Sequence, residues 1–271
     1  MLDMDDVMQR VREYYDSSVE NEWGRIQGKP EFLLTCRMLK RYIKPGDTVL
    51  DIGGGPGIYS IWLAEQGCDV TLFDLSPGNV AFALKQAKER GLPLKAICGD
   101  ARTLAEQVQG SFDHVLVMGP LYHLPEESDR QRVMQQAIAV TKPAGLVYAV
   151  FITLMAGIIY YLGKQPEAIV IDTPDEITYR EAVLSGKTWI GDAFTTAVFA
   201  EPKEISSFIE QFPLQKLHLF SQEGLLAPNE MLFLQQPEAI KEAWLDFCEL
   251  LWEREELLSW SEHLVYVGRK L

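Results

Sequence analysis

Asp51, Gly53, Gly55 and Gly57 stand at every second position directly after the apolar run 48–50, with Gly54 and Pro56 between them. A glycine-rich turn between a strand and a helix lets the backbone approach a ligand, and three ligand types compete for it: a dinucleotide, a phosphate, or an adenosine without a pyrophosphate. A dinucleotide fold needs G-x-G-x-x-G, whose third glycine packs the helix against its strand. Counting from Gly53 and Gly55, that place holds Ile58. A phosphate loop needs Gly-Lys-Ser/Thr, which does not follow. Pro56 also removes one N–H from any anion nest, and an acid precedes the first glycine. A cofactor carrying a cation and an amino group suits these residues better than a pyrophosphate.

Two further acids fall at strand ends. Asp74, followed by Leu75, closes the apolar run 70–75, where a carboxylate can accept both hydroxyls of an unphosphorylated ribose. Asp100, between Gly99 and Ala101, closes a third run and can accept a hydrogen bond from an adenine amino group. Each acid alone is equally explained as a cap of the next helix, and the glycine loop alone as a tight turn. Their order and spacing together make the signal. Met118, Gly119, Pro120, Leu121, Tyr122 and His123 follow a fourth run. His123 is a candidate general base, since imidazole titrates near neutrality; the alternative is a ring bound to a backbone carbonyl that shapes the loop. Tyr122 either lines a pocket or fills the core. Tyr14, Tyr15, Trp23 and Arg25 form a candidate lid, with Arg25 a partner for a carboxylate, unless they belong to a surface helix docking its aromatics.

These residues need a frame to position them, and the pattern supplies one. Short apolar runs at 48–52, 70–75, 94–98, 114–118 and 146–152 alternate with helical stretches at 58–66, 77–90 and 126–140, which is the signature of a parallel sheet covered on both faces. Ser76 and Pro77 read as N-cap and first-turn proline. Beyond residue 152 the rhythm breaks. A helix at 202–212, a strand at 215–220, an amphipathic helix through Ile240, Trp244, Phe247 and Leu251, and a closing strand at 263–268 follow. The expected division is an N-terminal lid at 1–45, a core at 46–152, a cap insertion at 153–200, and completion of the sheet at 201–271 with a helical insertion at 224–262.

The set Asp51 to Gly57, Asp74 and Asp100 resembles the class I S-adenosylmethionine-dependent methyltransferases. The resemblance covers roughly residues 40–152 and returns at the closing strands. It implies an α/β, Rossmann-like, mostly parallel seven-stranded sheet with an antiparallel last strand, helices on both faces, and a cap from the insertions. It also implies S-adenosylmethionine as cofactor, held by Asp51, Gly53, Gly55, Gly57, Asp74, Leu75, Asp100, Ala101, Met118 and Arg25, with Tyr122 and His123 at the chemistry. Ala144 departs from the pattern, since many relatives carry glycine there. Methyl transfer is an in-line displacement on an activated sulfonium, so such a site must align the acceptor and exclude water. The backbone of Gly55 is expected to run against the cofactor with no room for a Cβ.

Composition narrows the acceptor. With 25 basic against 39 acidic residues and a formal charge of -14, most of the surface repels a polyanion. Gly119, Pro120, Leu121 and Tyr122 lack the Asn or Asp found where relatives methylate bases. The expected acceptor is therefore a small molecule, with no nucleic acid and no membrane as partner; an RNA or protein acceptor, and a binding protein without transfer activity, are the alternatives. The four cysteines lack a C-x-x-C pair, which together with an acidic N-terminus suggests free thiols in the cytoplasm. His114, His123, His218 and His263 show no ligand spacing, so no metal is expected. The uncharged stretch 143–163 reads as a buried strand running into an apolar cap segment. Substrate choice is expected in the insertions, where Ile158, Ile159, Tyr160, Tyr161, Trp189 and Phe194 either pack onto the core or line a pocket.

Overall fold

The computed structural model describes residues 4–271; the first three residues of the acidic N-terminus lie outside the described residues. The strands, in chain order, are β1 (Thr48–Ile52), β2 (Asp69–Asp74), β3 (Lys95–Cys98), β4 (Phe112–Val117), β5 (Thr141–Thr153), β6 (Trp189–Asp192), β7 (Thr196–Ala200), β8 (Leu214–Ser221) and β9 (His263–Lys270). Parallel pairing runs β3-β2-β1-β4-β5. β9 then pairs antiparallel with β5 over Leu146 to Ile152, and β8 pairs antiparallel with β9. The seven strands β3-β2-β1-β4-β5-β9-β8 form the expected sheet with its reversed last strand. β6 and β7 add an antiparallel hairpin, joined to β5 only at Ile152 and Thr153.

Strand residues alternate between two apolar layers, because successive side chains point to opposite faces. Val49, Leu116, Tyr148 and Val265 pack with α3 (Pro30–Tyr42), α4 (Ile58–Glu65) and the helix Glu238–Leu251. Leu50, Val115, Val147 and Tyr266 pack with the helices Glu127–Ala139 and Pro202–Ile209 on the other face. The region 153–200, which shows no period in the sequence, holds the helices Ala156–Lys164 and Pro174–Ser185 and the β6–β7 hairpin. Its Tyr179, Trp189 and Phe199 form a third apolar cluster with Ile152 and Leu154. The uncharged stretch divides into β5 and the helix Ala156–Lys164, and among the described residues no helix is long and apolar enough to cross a membrane.

β5 begins earlier than the pattern suggests. Phe112 pairs with Thr141 and His114 with Leu146, so residues 142–145 bulge out of register. Ala144 sits at that bulge with φ 61, a left-handed backbone that favours glycine. The departure noted in the sequence thus falls on a strained position, away from the strand ends that face ligand. At those ends, α1 (Met4–Ser17) lies across the start of α5 (Pro77–Arg90): Asp16 accepts hydrogen bonds from Ser76 Oγ at 2.5 Å and from the Gly78 N–H at 3.0 Å. α2 (Val19–Ile26) follows α1 over the same edge.

Candidate active site

A cavity of about 100 Å³ opens where β1, β2, β3 and β4 end. Gly53, Gly55, Asp74, Leu75, Asp100, Ala101, Met118, Tyr122, His123 and Arg25 line it, as the sequence suggests, whereas Asp51 and Gly57 do not. The four glycines of the loop divide by what an added Cβ would meet. At Gly53 it would lie 2.5 Å from Pro120 Cδ, and at Gly57 2.8 Å from Ala83 Cβ, while at Gly54 it would strike the Asp51 carboxylate. Those three are needed by the protein's own packing. At Gly55, where φ is +58, the nearest atom is Asn79 Nδ2 at 4.0 Å. Space for a Cβ exists there in the free protein, and it is the space of the cavity itself.

Asp51 lies beneath the loop. It is fully buried, its Oδ2 accepts from Ser60 Oγ of α4 at 2.7 Å, and its Oδ1 has no hydrogen-bond partner. Burial pushes this carboxyl up to about 7, with Ser60 opposing. Asp51 therefore ties β1 to α4, and Gly54 passes over it.

Asp74 reaches the cavity while organising its wall. Its Oδ2 accepts the Gly55 N–H at 2.8 Å, and its Oδ1 accepts from the Ser76 N–H at 2.9 Å and Asn79 Nδ2 at 3.1 Å. Asn79 Oδ1 is left buried without a partner. Asp100 is held by the Arg102 guanidinium at 2.7 to 3.1 Å, and Arg102 also reaches Asp129 at 3.3 Å. Gln222 enters the same wall from the far side of the sheet; its Nε2 donates to the Tyr59 hydroxyl at 3.1 Å and its Oε1 has no partner. Sequence reading missed Asn79 and Gln222. Asn79 sits three residues after the N-cap Ser76, a position that reads as a helix start, and Gln222 carries no local signal.

Comparison with known proteins agrees with this geometry. Residues 49–145 match the family model described as a methyltransferase domain. These residues form a class I S-adenosylmethionine-dependent methyltransferase domain. Over 128 residues the chain is 34% identical to a glycine/sarcosine N-methyltransferase of Parasynechococcus marenigrum, covering 46% of this chain and 44% of that protein. Over 139 residues it is 32% identical to a ubiquinone biosynthesis O-methyltransferase of Coxiella burnetii, covering 49% and 57%. The chain thus spans about half the length of the curated relatives it matches. The Burkholderia thailandensis 1,6-didemethyltoxoflavin-N1-methyltransferase, with 1,6-didemethyltoxoflavin and S-adenosylhomocysteine bound, has the same fold at 15% identity, with a TM-score of 0.60 over 100% of this chain and 91% of its own. The Synechocystis magnesium protoporphyrin IX methyltransferase aligns at 14% identity and TM-score 0.59, covering 98% and 100%.

A second and larger cavity of about 520 Å³ adjoins the first. Tyr15, Glu22, Arg25, Tyr122 and His263 line both. The β6–β7 region and the helix Ala156–Lys164 supply much of the rest, including Tyr160, Tyr161, Trp189 and Phe194. Trp189 is also core: it is 6% exposed, stacks near Tyr179 and Phe199, and donates its indole N–H to Thr178 Oγ1 at 3.1 Å. Trp23 faces neither cavity and packs on Phe82 of α5.

At the junction His123 uses both ring nitrogens. Its Nδ1 lies 3.0 Å from the Thr196 carbonyl, which can only accept, so Nδ1 carries the proton and Nε2 accepts the Tyr15 hydroxyl at 2.8 Å. Burial lowers this imidazole to about 4, with the Thr196 bond opposing. The Tyr122 hydroxyl donates to the Met118 carbonyl at 3.0 Å, and burial raises it further above the phenol range. Arg25 is clasped by Glu22 at 2.8 to 3.1 Å and by Glu31 at 3.0 Å. Glu31, Glu223 and His263 offer ligand atoms within 4.8 Å of one another. His263 Nδ1, however, donates to Glu223 at 2.5 Å, and although burial disfavours its charge, Glu223 raises the ring to about 9. His263 and Glu223 thus form a hydrogen-bonded ion pair, and Glu31 beside them is bonded to Arg25.

Proposed function

We propose that the protein transfers a methyl group from S-adenosylmethionine to a small-molecule acceptor seated in the larger cavity. The observation that carries this reading is the division of the loop: three glycines serve internal packing, and Gly55 alone leaves room, beside two buried acceptors without partners. Asn79 Oδ1 and Gln222 Oε1 require hydrogen-bond donors from a ligand. A ribose with two hydroxyls and an α-ammonium group meets that demand, whereas a pyrophosphate would bring only further acceptors.

In this reading Asp74 and Asn79 take the ribose hydroxyls. Leu75, Asp100 and Ala101 flank the adenine, and Gln222 with Glu31 faces the ammonium. Arg25 meets the carboxylate of the methionine moiety, and Met118 and Tyr122 stand beside the reacting centre. Bound S-adenosylmethionine supplies a methyl carbon activated on a sulfonium, so the residues must orient the acceptor, exclude water and, for some acceptors, remove a proton. His123, neutral and engaged on both nitrogens, holds Tyr15 of α1 over the junction and is a positioning residue, the second of the two roles the sequence leaves open for it. A cavity of about 520 Å³ has the size of a small-molecule site. The four free cysteines support placement in a reducing cytoplasm.

The test is calorimetry of the purified chain with S-adenosylhomocysteine and with NAD. Binding of the first and not the second is expected, and Asp74→Asn should weaken it by about 1.5 to 3 kcal/mol, the worth of a hydrogen bond to a charged group. Binding of NAD, or no binding of S-adenosylhomocysteine, refutes the reading.

A further inference from the structure

The larger cavity carries one carboxylate to which no group among the described residues is bonded. Of its acidic side chains, Glu22 is paired with Arg25, Glu176 accepts from the Tyr161 hydroxyl, Asp192 accepts from Arg10 and Thr196, and Asp175 accepts the Asp192 N–H at 3.4 Å. Glu262, at the foot of β9, is half-buried in the same wall and its carbonyl accepts the Thr153 N–H at 2.9 Å, but its carboxylate makes no hydrogen bond or ion pair among the described residues. It precedes His263, which lines both cavities, so its carboxylate stands beside the junction where acceptor and cofactor meet.

Resting on the methyltransferase reading, we propose that the acceptor is an amine, and that Glu262 receives its protonated nitrogen and takes a proton from it before transfer. Three features converge on this. A buried carboxylate is costly without a partner, and a cation is the partner that restores the balance. The acids of the wall, Glu22, Asp175, Glu176, Asp192 and Glu262, outnumber the bases Arg25, Lys164 and His263; Arg25 is paired with Glu22, His263 with Glu223, and Lys164 faces Glu230 at 3.9 Å and the Tyr160 ring at 5.6 Å. The remaining wall is rich in aromatic rings, Tyr122 and Tyr160 among them, whose faces attract cations. The groups facing Glu262 set its proton affinity. Burial raises it, then Glu223; His263 and Lys164 lower it; Glu31 raises it; the outcome is about 7. A base of that strength suits an ammonium, and is far too weak to ionise an alcohol.

The step balances as follows. The Glu262 carboxylate takes one proton from R–NH3+, giving the neutral acid and R–NH2. The nitrogen lone pair forms the new N–C bond to the methyl carbon as the C–S bond breaks, and that electron pair stays on sulfur as the thioether. The product leaves as R–NH2–CH3+, and Glu262 returns its proton to water. No further reactant is needed.

The experiment incubates the full chain with a small-molecule cell extract and methyl-labelled S-adenosylmethionine, identifies the labelled product by mass, and uses that acceptor for kinetics. The expected product carries its label on nitrogen. Glu262→Gln should bind S-adenosylhomocysteine within twofold of the parent, lose at least about 100-fold in kcat at pH 7, and recover toward pH 10 as the free amine becomes available. Glu262→Asp should keep the rising limb of the parent profile at a reduced rate, which a merely structural role would not produce. An extract that yields no N-methylated product, or a Glu262→Gln variant with the parent's rate and pH profile, overturns the proposal. Failure of the parent chain to bind S-adenosylhomocysteine overturns the methyltransferase reading itself, and is read separately.

Discussion

Gly55→Ala separates a cofactor cradle from a tight turn. The added methyl would meet no protein atom closer than Asn79 Nδ2 at 4.0 Å, so its cost to folding comes only from the left-handed φ of +58. That is roughly 1 kcal/mol for an L-residue, a fall of about 2 to 4 °C in Tm for a chain of this size. The same change at Gly53 places a Cβ 2.5 Å from Pro120 Cδ at φ +67, and there overpacking adds about 1 to 3 kcal/mol. On the proposed reading the positions reverse in the bound state, because the methyl at Gly55 would occupy the cofactor's space. A clash of about 1 to 3 kcal/mol corresponds to roughly a 5- to 150-fold loss of affinity. Thermal unfolding and calorimetry with S-adenosylhomocysteine on both variants measure the two effects. If Gly55→Ala binds within twofold of the parent, the open space above Gly55 is not the cofactor's, and the central argument fails.

Trp189→Ala should cost about 3 to 5 kcal/mol of stability in chemical denaturation, since the ring is buried against Tyr179 and Phe199. Tyr160→Ala, at a side chain 44% exposed in the cavity wall, should change stability by no more than about 0.5 kcal/mol while lowering kcat/KM for the acceptor; normal kcat/KM would remove Tyr160 from substrate contact. Ala144→Gly should raise the denaturation midpoint, by up to about 1 kcal/mol, by relieving φ 61. His123 binds its proton less tightly folded, at about 4, than unfolded, at about 6.5. The unfolded chain therefore takes up the proton first as pH falls, so stability present above pH 6.5 is lost down to pH 4, by about 3 kcal/mol. An acid titration of unfolding free energy in parent and His123→Gln should show that slope only in the parent.

The core of the fold was legible because its signals are local. Each strand from β1 to β5 is a short apolar run, each turn carries its own glycine, proline or cap, and a parallel sheet follows from their alternation. The region 153–200 resisted the same reading. Its helices bury only part of their surface against one another, so apolar residues such as Tyr160 and Leu162 remain exposed and the period blurs. Trp189 and Tyr160 look alike in sequence, yet one fills the cap cluster and the other faces the cavity.

The spacing of Asp51, the glycines, Asp74 and Asp100 determined the class of cofactor without any tertiary information, because each lies at the end of its own strand and the sheet aligns those ends. What the chain positions could not decide was which of these groups face a ligand. Only packing shows that Asp51 lies beneath Gly54, that Gly55 alone of the loop's four glycines leaves room for a Cβ, and that His123 is spent on Thr196 and Tyr15. Gln222 reaches Tyr59 across 163 positions, and Glu262 meets the field of Glu223, His263, Lys164 and Glu31. Partnership and proton affinity depend on burial and on neighbours brought from distant segments, and those exist only once the chain has folded.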